Sequence, residues 1–171
     1  MPVARPVSTF VSLGANLGAP EATLNSAVHA LRQLPGTQLL AVSSLYSSTA
    51  VGPAGQPDYL NAVAHLTTTL TPHALLSALQ NIEAAHGRVR KVRWGARTLD
   101  LDVLLYGQDV ITTASLVVPH AELRNRNFVV IPLLEVQPDL ILPEGESLSS
   151  LPAAQNHHGL VIKTKGSTWA D

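Results

Sequence analysis

Thr98-Leu99-Asp100-Leu101-Asp102-Val103-Leu104-Leu105-Tyr106 alternates in the way a half-buried strand does. Side chains point to opposite faces at each step, so Asp100 and Asp102 share one face while Leu99, Leu101, Val103 and Leu105 take the other. Gly107-Gln108-Asp109 turns the strand. Upstream, residues 88–97 lack apolar periodicity and read as a loop. Before that loop, Thr71-Pro72 opens a helix, with Thr as its cap and Pro at the first helical position. Leu75, Leu76, Leu79, Ile82 and His86 mark one face of that helix, and Gly87 ends it.

The N-terminal half repeats this logic. Residues 7–13 read as a strand ended by Gly14, and residues 15–20 as a loop. A helix starting at Pro20 carries Leu24, Ala27, Val28, Leu31 and Leu34 at helical spacing until Pro35-Gly36 stops it. Residues 38–47 read as a strand of middling quality, 49–57 as a loop with two Gly and two Pro, and 59–70 as a better strand. The order is therefore βαββαβ, an α+β ferredoxin-like sheet. Two helices are expected to cover one face, leaving the other free for ligands. A third helix over residues 128–135 tolerates Pro132 only near its first turn. The remainder reads as short and irregular.

Composition agrees with one domain. The chain has 171 residues, 46% of them apolar and 13% charged, against ~25% charged in an ordinary globular protein. It can bury a sizeable core without disulfides or a structural metal. With no cysteine, disulfide frameworks, Cys zinc sites and thiol nucleophiles are excluded. A net charge of −1 provides no bulk attraction to nucleic acid or membrane. No apolar run is long enough to cross a bilayer and no signal peptide is evident, so the expected location is cytoplasmic.

Charge is concentrated rather than spread. Five of the eleven Lys and Arg fall in residues 88–97 (Arg88, Arg90, Lys91, Arg93 and Arg97), just before the Asp pair. Two carboxylates ~7 Å apart on one strand face repel by roughly 2 kcal/mol at an effective dielectric near 20. Either a divalent cation or the neighbouring arginines must compensate. Hard oxygen donors with no His or Cys beside them suit Mg²⁺, which uses one or two carboxylates plus substrate phosphates. On the 59–70 strand, Tyr59 and Asn61 take the non-core side, opposite Leu60, Ala62, Ala64 and Leu66, where a ring can stack on a flat ligand and an amide can bond its edge. Trp94 sits in the basic loop, and His120, near Arg124 and Arg126, is a candidate phosphate contact. His29, His65, His73, His157 and His158 read as surface residues. Neither a P-loop nor a Rossmann glycine turn is present, so any nucleotide is held in another way.

Four stretches together carry a resemblance: Gly52-Pro53-Ala54-Gly55-Gln56-Pro57-Asp58-Tyr59-Leu60-Asn61, Gly87-Arg88-Val89-Arg90, Trp94-Gly95-Ala96-Arg97-Thr98-Leu99-Asp100-Leu101-Asp102 and Val118-Pro119-His120. The chain resembles the hydroxymethyl-dihydropterin pyrophosphokinases of folate biosynthesis. The likeness is strongest over residues 7–142 of a single 1–171 domain, with 143–171 as a C-terminal extension. It implies transfer of pyrophosphate from ATP to 6-hydroxymethyl-7,8-dihydropterin, releasing AMP, by a monomer. Asp100 and Asp102 match the ligands of two Mg²⁺ ions. Tyr59 and Phe128 match the pair that stacks the pterin, and Asn61 matches the amide that reads its edge, helped by Ser48, Thr49 and Val51. Gln80, Glu83, Arg88, Trp94, Arg97, His120 and Arg126 match nucleotide and catalytic positions. Among these, Arg88 and Arg97 steady phosphates and developing charge, and Trp94 helps seal the pterin. Ala121 stands where an aromatic often follows the His, Thr49 stands where Pro is frequent, and the stretch from Lys91 to Trp94 is one residue shorter than in some members.

Two other classes could use parts of this pattern. A D-x-D glycosyltransferase would need a longer chain with a nucleotide-binding α/β domain. An RNA-binding ferredoxin-like module would need surface aromatics on its central strands and a wide basic face, whereas this chain is 4% aromatic with net charge −1.

Overall fold

In the computed structural model, which describes residues 5–49, 58–87 and 98–171, strand β1 (Val7–Ala15) is an inner strand of a sheet and is followed by helix α1 (Pro20–Arg32). Then come β2 (Thr37–Val42), β3 (Leu45–Ser48), β4 (Tyr59–Thr68), helix α2 (Pro72–Ala85) and β5 (Asp100–Tyr106). A two-stranded ribbon, β6 (Ile111–Thr112) with β7 (Val117–Val118), precedes helix α3 (Asn127–Val136), and β8 (Leu160–Thr164) closes the order. The sheet is antiparallel, ordered β5-β1-β4-β3-β8, with β2 also on β4. This is the expected ferredoxin-like arrangement: each helix connection skips one strand, so α1 and α2 fall on the same face. Thr71 caps α2 as its sequence suggests, its hydroxyl accepting from the Ala74 N–H at 3.2 Å.

The helix-covered face is a continuous apolar layer. Val11, Leu13 and Ala15 of β1, Leu60, Ala62, Ala64 and Leu66 of β4, and Leu101 and Val103 of β5 pack against Leu24, Ala27, Val28 and Leu31 of α1 and Leu75, Leu79 and Ile82 of α2. The opposite face is not free, contrary to expectation. Phe10, Val63, Leu104 and Leu105 on that side pack against Val129, Val130 and Leu133 of α3 and Leu140, Leu142, Leu148 and Leu151 beyond it. These apolar residues would otherwise lie open to water, and the segment after residue 120 supplies their cover.

Several local expectations are corrected. Gly14 does not end β1, because it pairs with both Asn61 and Asp100. Leu105 does not share a face with Leu101: Phe10 pairs with Leu105 and Val11 with Val103, so Leu104 is an inserted bulge residue and the alternation flips there. Residues 38–47 do not form one strand. The ladder breaks at Ser43 and Ser44, where side chains take over backbone bonding; the Ser43 hydroxyl accepts from the Val63 N–H at 3.0 Å. Pro132 lies well inside α3 rather than in its first turn. The helix loses one N–H donor there and is held instead by burial of Val130 and Leu133. The C-terminal residues are more than irregular: β8 extends the sheet beside β3, and Trp169 enters the main core, donating its Nε1–H to the Ser43 carbonyl at 2.9 Å.

His65, read as a surface residue, is half-buried. Its ring stacks on Phe10 with centroids 4.3 Å apart, and Nε2 lies 2.7 Å from the Ser8 hydroxyl. Burial lowers its pKa below the ordinary 6.5. The unfolded chain therefore binds the proton at a higher pH than the folded one. The stabilisation is fully present above about pH 6.5 and is lost as the pH falls toward the folded-state value. Melting temperature is expected to fall between about pH 7.5 and about pH 5.5, and less steeply in His65→Gln. Parallel curves for the two proteins would contradict this.

Candidate active site

On the α3 side of the sheet the apolar cover stops short. A cavity of about 370 Å³ remains, lined among the described residues by Ser12, Leu13, Gly14, Ser48, Thr49, Tyr59, Asn61, Asp100, Asp102, Asn125, Arg126, Phe128 and Val129. That volume is in the range of small-molecule sites. Its floor follows from register: Asp100, Gly14 and Asn61 form one row across three strands, and Asp102, Ser12 and Val63 form the next. The second row already grades into the apolar core at Val63.

One end of the cavity suits a flat, polar-edged ligand. Tyr59 comes from the start of β4 and Phe128 from the first turn of α3. Asn61, although buried, is fixed by donation from its Nδ2 to the Ser48 hydroxyl at 2.7 Å. Its Oδ1 lies over Gly14, where a Cβ would sit 3.6 Å from that oxygen and 4.0 Å from the Tyr59 ring. Gly14 thus leaves open the space beside Asn61 that a side chain would fill.

The other end is charged. Asp100 and Asp102 project from β5 as the period of two requires. β5 is an edge strand, and Glu83 of α2, buried, accepts the Leu101 N–H at 2.8 Å between the two aspartates. The Leu104 bulge then has a use: its carbonyl accepts the His120 N–H at 3.0 Å, and His120 Nε2 lies 4.0 Å from Asp102 Oδ1. His120 Nδ1 accepts from the Glu122 N–H at 3.1 Å, so the neutral ring carries its proton on Nε2, toward Asp102. Burial, aided by the positive charge of Arg126, lowers the His120 pKa against the opposing pull of Asp100 and Glu122. Arg126 also sits with its guanidinium carbon 5.7 Å from the Phe128 ring centroid, at the seam between the two ends.

Of the residues singled out in the sequence, Ser48, Thr49, Tyr59, Asn61, Asp100, Asp102, Arg126 and Phe128 meet in this cavity, and His120 adjoins it. Gln80 is exposed on α2, and neither it nor Glu83 lines the cavity. Val51, Arg88, Trp94 and Arg97 lie outside the described residues. Sequence reasoning missed Ser12, Leu13, Gly14, Asn125 and Val129. A glycine within a strand pattern, the sign of a close approach by a ligand or another chain segment, was a usable signal at Gly14.

The model of the 7,8-dihydro-6-hydroxymethylpterin-pyrophosphokinase family matches residues 10–138, which include every cavity residue named above. The chain belongs to this family. A 2-amino-4-hydroxy-6-hydroxymethyldihydropteridine pyrophosphokinase of Haemophilus influenzae is 44% identical over 155 residues, covering 91% of this chain and 97% of the relative. Its Pseudomonas aeruginosa namesake is 48% identical over 151 residues, covering 88% and 93%. In fold, a crystal structure of a Plasmodium falciparum HPPK-DHPS triple mutant with pteroate superposes with a TM-score of 0.67 at 12% identity. It covers 95% of this chain, which spans 48% of that longer one.

Glu83 connects this geometry to stability. Glu83→Ala leaves the Leu101 N–H without its acceptor in a buried position, at a cost of about 1–3 kcal/mol. Urea denaturation is expected to show a loss of at least that size, and an unchanged midpoint would remove Glu83 from the support of β5.

Proposed function

We propose that this chain transfers the β,γ-pyrophosphoryl group of ATP to the hydroxymethyl group of 6-hydroxymethyl-7,8-dihydropterin in folate biosynthesis, giving AMP and the pterin diphosphate. The observation that carries the reading is the juxtaposition, in one cavity, of an aromatic and amide end (Tyr59, Phe128, Asn61) with a carboxylate end (Asp100, Asp102). Family membership supports it independently.

Tyr59 and Phe128 hold the pterin between them. Asn61, its Nδ2 committed to Ser48, offers Oδ1 to an N–H on the ring edge. Stacking and edge recognition aim the hydroxymethyl group toward the aspartates. There the substrate oxygen forms a bond to the β-phosphorus as the bond from that phosphorus to the α,β-bridging oxygen breaks. AMP takes the electron pair and the hydroxyl proton is released. Such a transfer depends on positioning and charge stabilisation more than on covalent chemistry by the protein.

Asp100 and Asp102 are fitted to hold Mg²⁺. Both are hard oxygen donors on one face, and among the described residues no group of three or more His, Cys, Asp or Glu competes as a metal cluster. Mg²⁺ there, two ions by the family resemblance, would neutralise triphosphate charge. His120 and Arg126, beside Asp102 and Phe128, supply donors for phosphate oxygens. Arg88 and Arg97 are proposed to steady the charge that develops in the transition state, Trp94 to seal the pterin with Val51 and Thr49 alongside it, and Gln80 and Glu83 to serve the nucleotide side. We place the enzyme in the cytoplasm as a monomer; among the described residues no helix is long and apolar enough to cross a membrane.

Incubation with ATP, Mg²⁺ and hydroxymethyl-dihydropterin should yield AMP by chromatography, whereas ADP would point to simple phosphoryl transfer and overturn the reading. Asp102→Ala should fold normally and lose at least about 100-fold in kcat, the equivalent of several kcal/mol of charge stabilisation. Near-normal turnover in the folded variant would sink the metal assignment.

A further inference from the structure

The two walls of the cavity come from distant parts of the chain: Ser48 and Thr49 at the end of β3, and Phe128 at the start of α3. Residues 156–160, beyond the stretch matched by the family model, touch the supports of both. On one side, the Gly159 carbonyl accepts the Thr49 N–H at 3.2 Å, and Leu160 pairs with Ser48 as β8 begins. On the other, the Asn127 side chain donates from Nδ2 to two carbonyls, Asn156 at 2.9 Å and His158 at 3.0 Å. Both partners are acceptors only, so the amide orientation follows from the chemistry. The segment is shaped from within: the Asn156 side chain accepts from the His158 N–H at 3.0 Å, and the Leu160 N–H donates to the His157 carbonyl at 3.1 Å. Gly159 has φ +70°, and a Cβ there would lie 3.3 Å from the Thr49 hydroxyl oxygen. A side chain is therefore both strained and crowded at that point.

We propose that residues 156–160 are a strap that sets the spacing between the Thr49 wall and the Phe128 wall, with Asn127 as the positioning residue that fastens it. The inference rests on the pterin-binding reading of the cavity. Asn127 precedes the stacking residue Phe128, so its hold on the strap fixes the first turn of α3 relative to β3. Neither Asn127 nor the strap lines the cavity. They act through Thr49 and Phe128. Loosening the strap should widen the slot for a flat ring while leaving Asp100, Asp102 and the triphosphate end undisturbed.

The test is a pair of titrations on the full chain, with a pterin followed by its fluorescence and with a non-hydrolysable ATP analogue in Mg²⁺. Asn127→Asp keeps the size of the side chain but removes the donor. It is expected to weaken pterin binding about five- to tenfold while analogue binding changes less than about twofold. Asn127→Gln, which can still donate, should recover part of the loss. Gly159→Ala attacks the strap from the Thr49 side and should give the same split, which keeps the proposal testable if the Asn127 variants fail to fold. Unchanged pterin affinity in folded Asn127→Asp and Gly159→Ala overturns the strap. So does parallel weakening of both ligands, the mark of general destabilisation. A wild-type chain that binds no pterin would instead overturn the reading of the cavity itself.

Discussion

Glu135, at the far end of α3 from Phe128, places its carboxylate on the break between β2 and β3. It accepts the Ser44 N–H at 2.9 and 3.0 Å, the Ser44 hydroxyl at 2.7 Å and the Tyr46 hydroxyl at 2.6 Å. Bonds to a charged acceptor contribute roughly 1.5–3 kcal/mol each, so this clamp is strong for a single side chain. Burial, reinforced by the carboxylate, raises the Tyr46 pKa well above its ordinary value, keeping the hydroxyl a donor. The same break collects the C-terminal tail: the Ser44 hydroxyl accepts the Gly166 N–H at 2.8 Å, and the Ser43 carbonyl takes the Trp169 indole. Where α3 lies across the sheet depends on this junction, and the position of Phe128 depends on α3.

From that placement the division of the second face follows. α3 covers Phe10, Val63, Leu104 and Leu105 and leaves Gly14, Asn61, Asp100 and Asp102 uncovered. The covered half contributes apolar burial. The uncovered half collects the polar groups that burial would penalise without partners. A binding site of this kind needs no separate domain. It is the part of a two-faced sheet where the cover ends, next to a core rigid enough to hold side chains in place.

Features that depend on period and punctuation were legible in the sequence. The Asp100 and Asp102 face, the Leu60 to Leu66 face, both long helices and the Thr71 cap all follow from local spacing, and so does the ferredoxin-like order. Features that depend on a second chain segment were not. The Leu104 bulge appears only when β5 is laid against β1, because Val103-Leu104-Leu105-Tyr106 is a continuous apolar run that does not mark where the faces switch. The Ser43 and Ser44 break has ordinary strand neighbours, and its cause is Glu135, about ninety residues away. Pro132 argued against a long α3, but burial of its neighbours outweighs one lost hydrogen bond. His65 looked solvated until Phe10 was placed beside it. In the site, the resemblance and the strand alternation together assembled most of the cavity, whereas Ser12 carries no chemical signature of its own and enters through its register with Asp102, and Asn125 enters through the turn that leads into α3.

The bulge shows how such unreadable features can matter to function. Were β5 regular, with Leu104 paired in the ladder, Leu105 would follow Leu101 and Val103 into the helix-covered core, and Phe10 and Val63 would lose an apolar partner beneath α3. With it, Leu104 and Leu105 both serve the α3 side, and the Leu104 carbonyl receives the His120 N–H. One bulged residue thus completes the second core and brings a half-buried imidazole, with its proton on Nε2, beside Asp102. Because burial and Arg126 both favour the neutral ring, His120 reaches the charged end as a neutral donor. It can support an aspartate there without adding a full charge to compete for it. The arrangement couples strand geometry to electrostatics: a change that removed the bulge would shift the core and the site together.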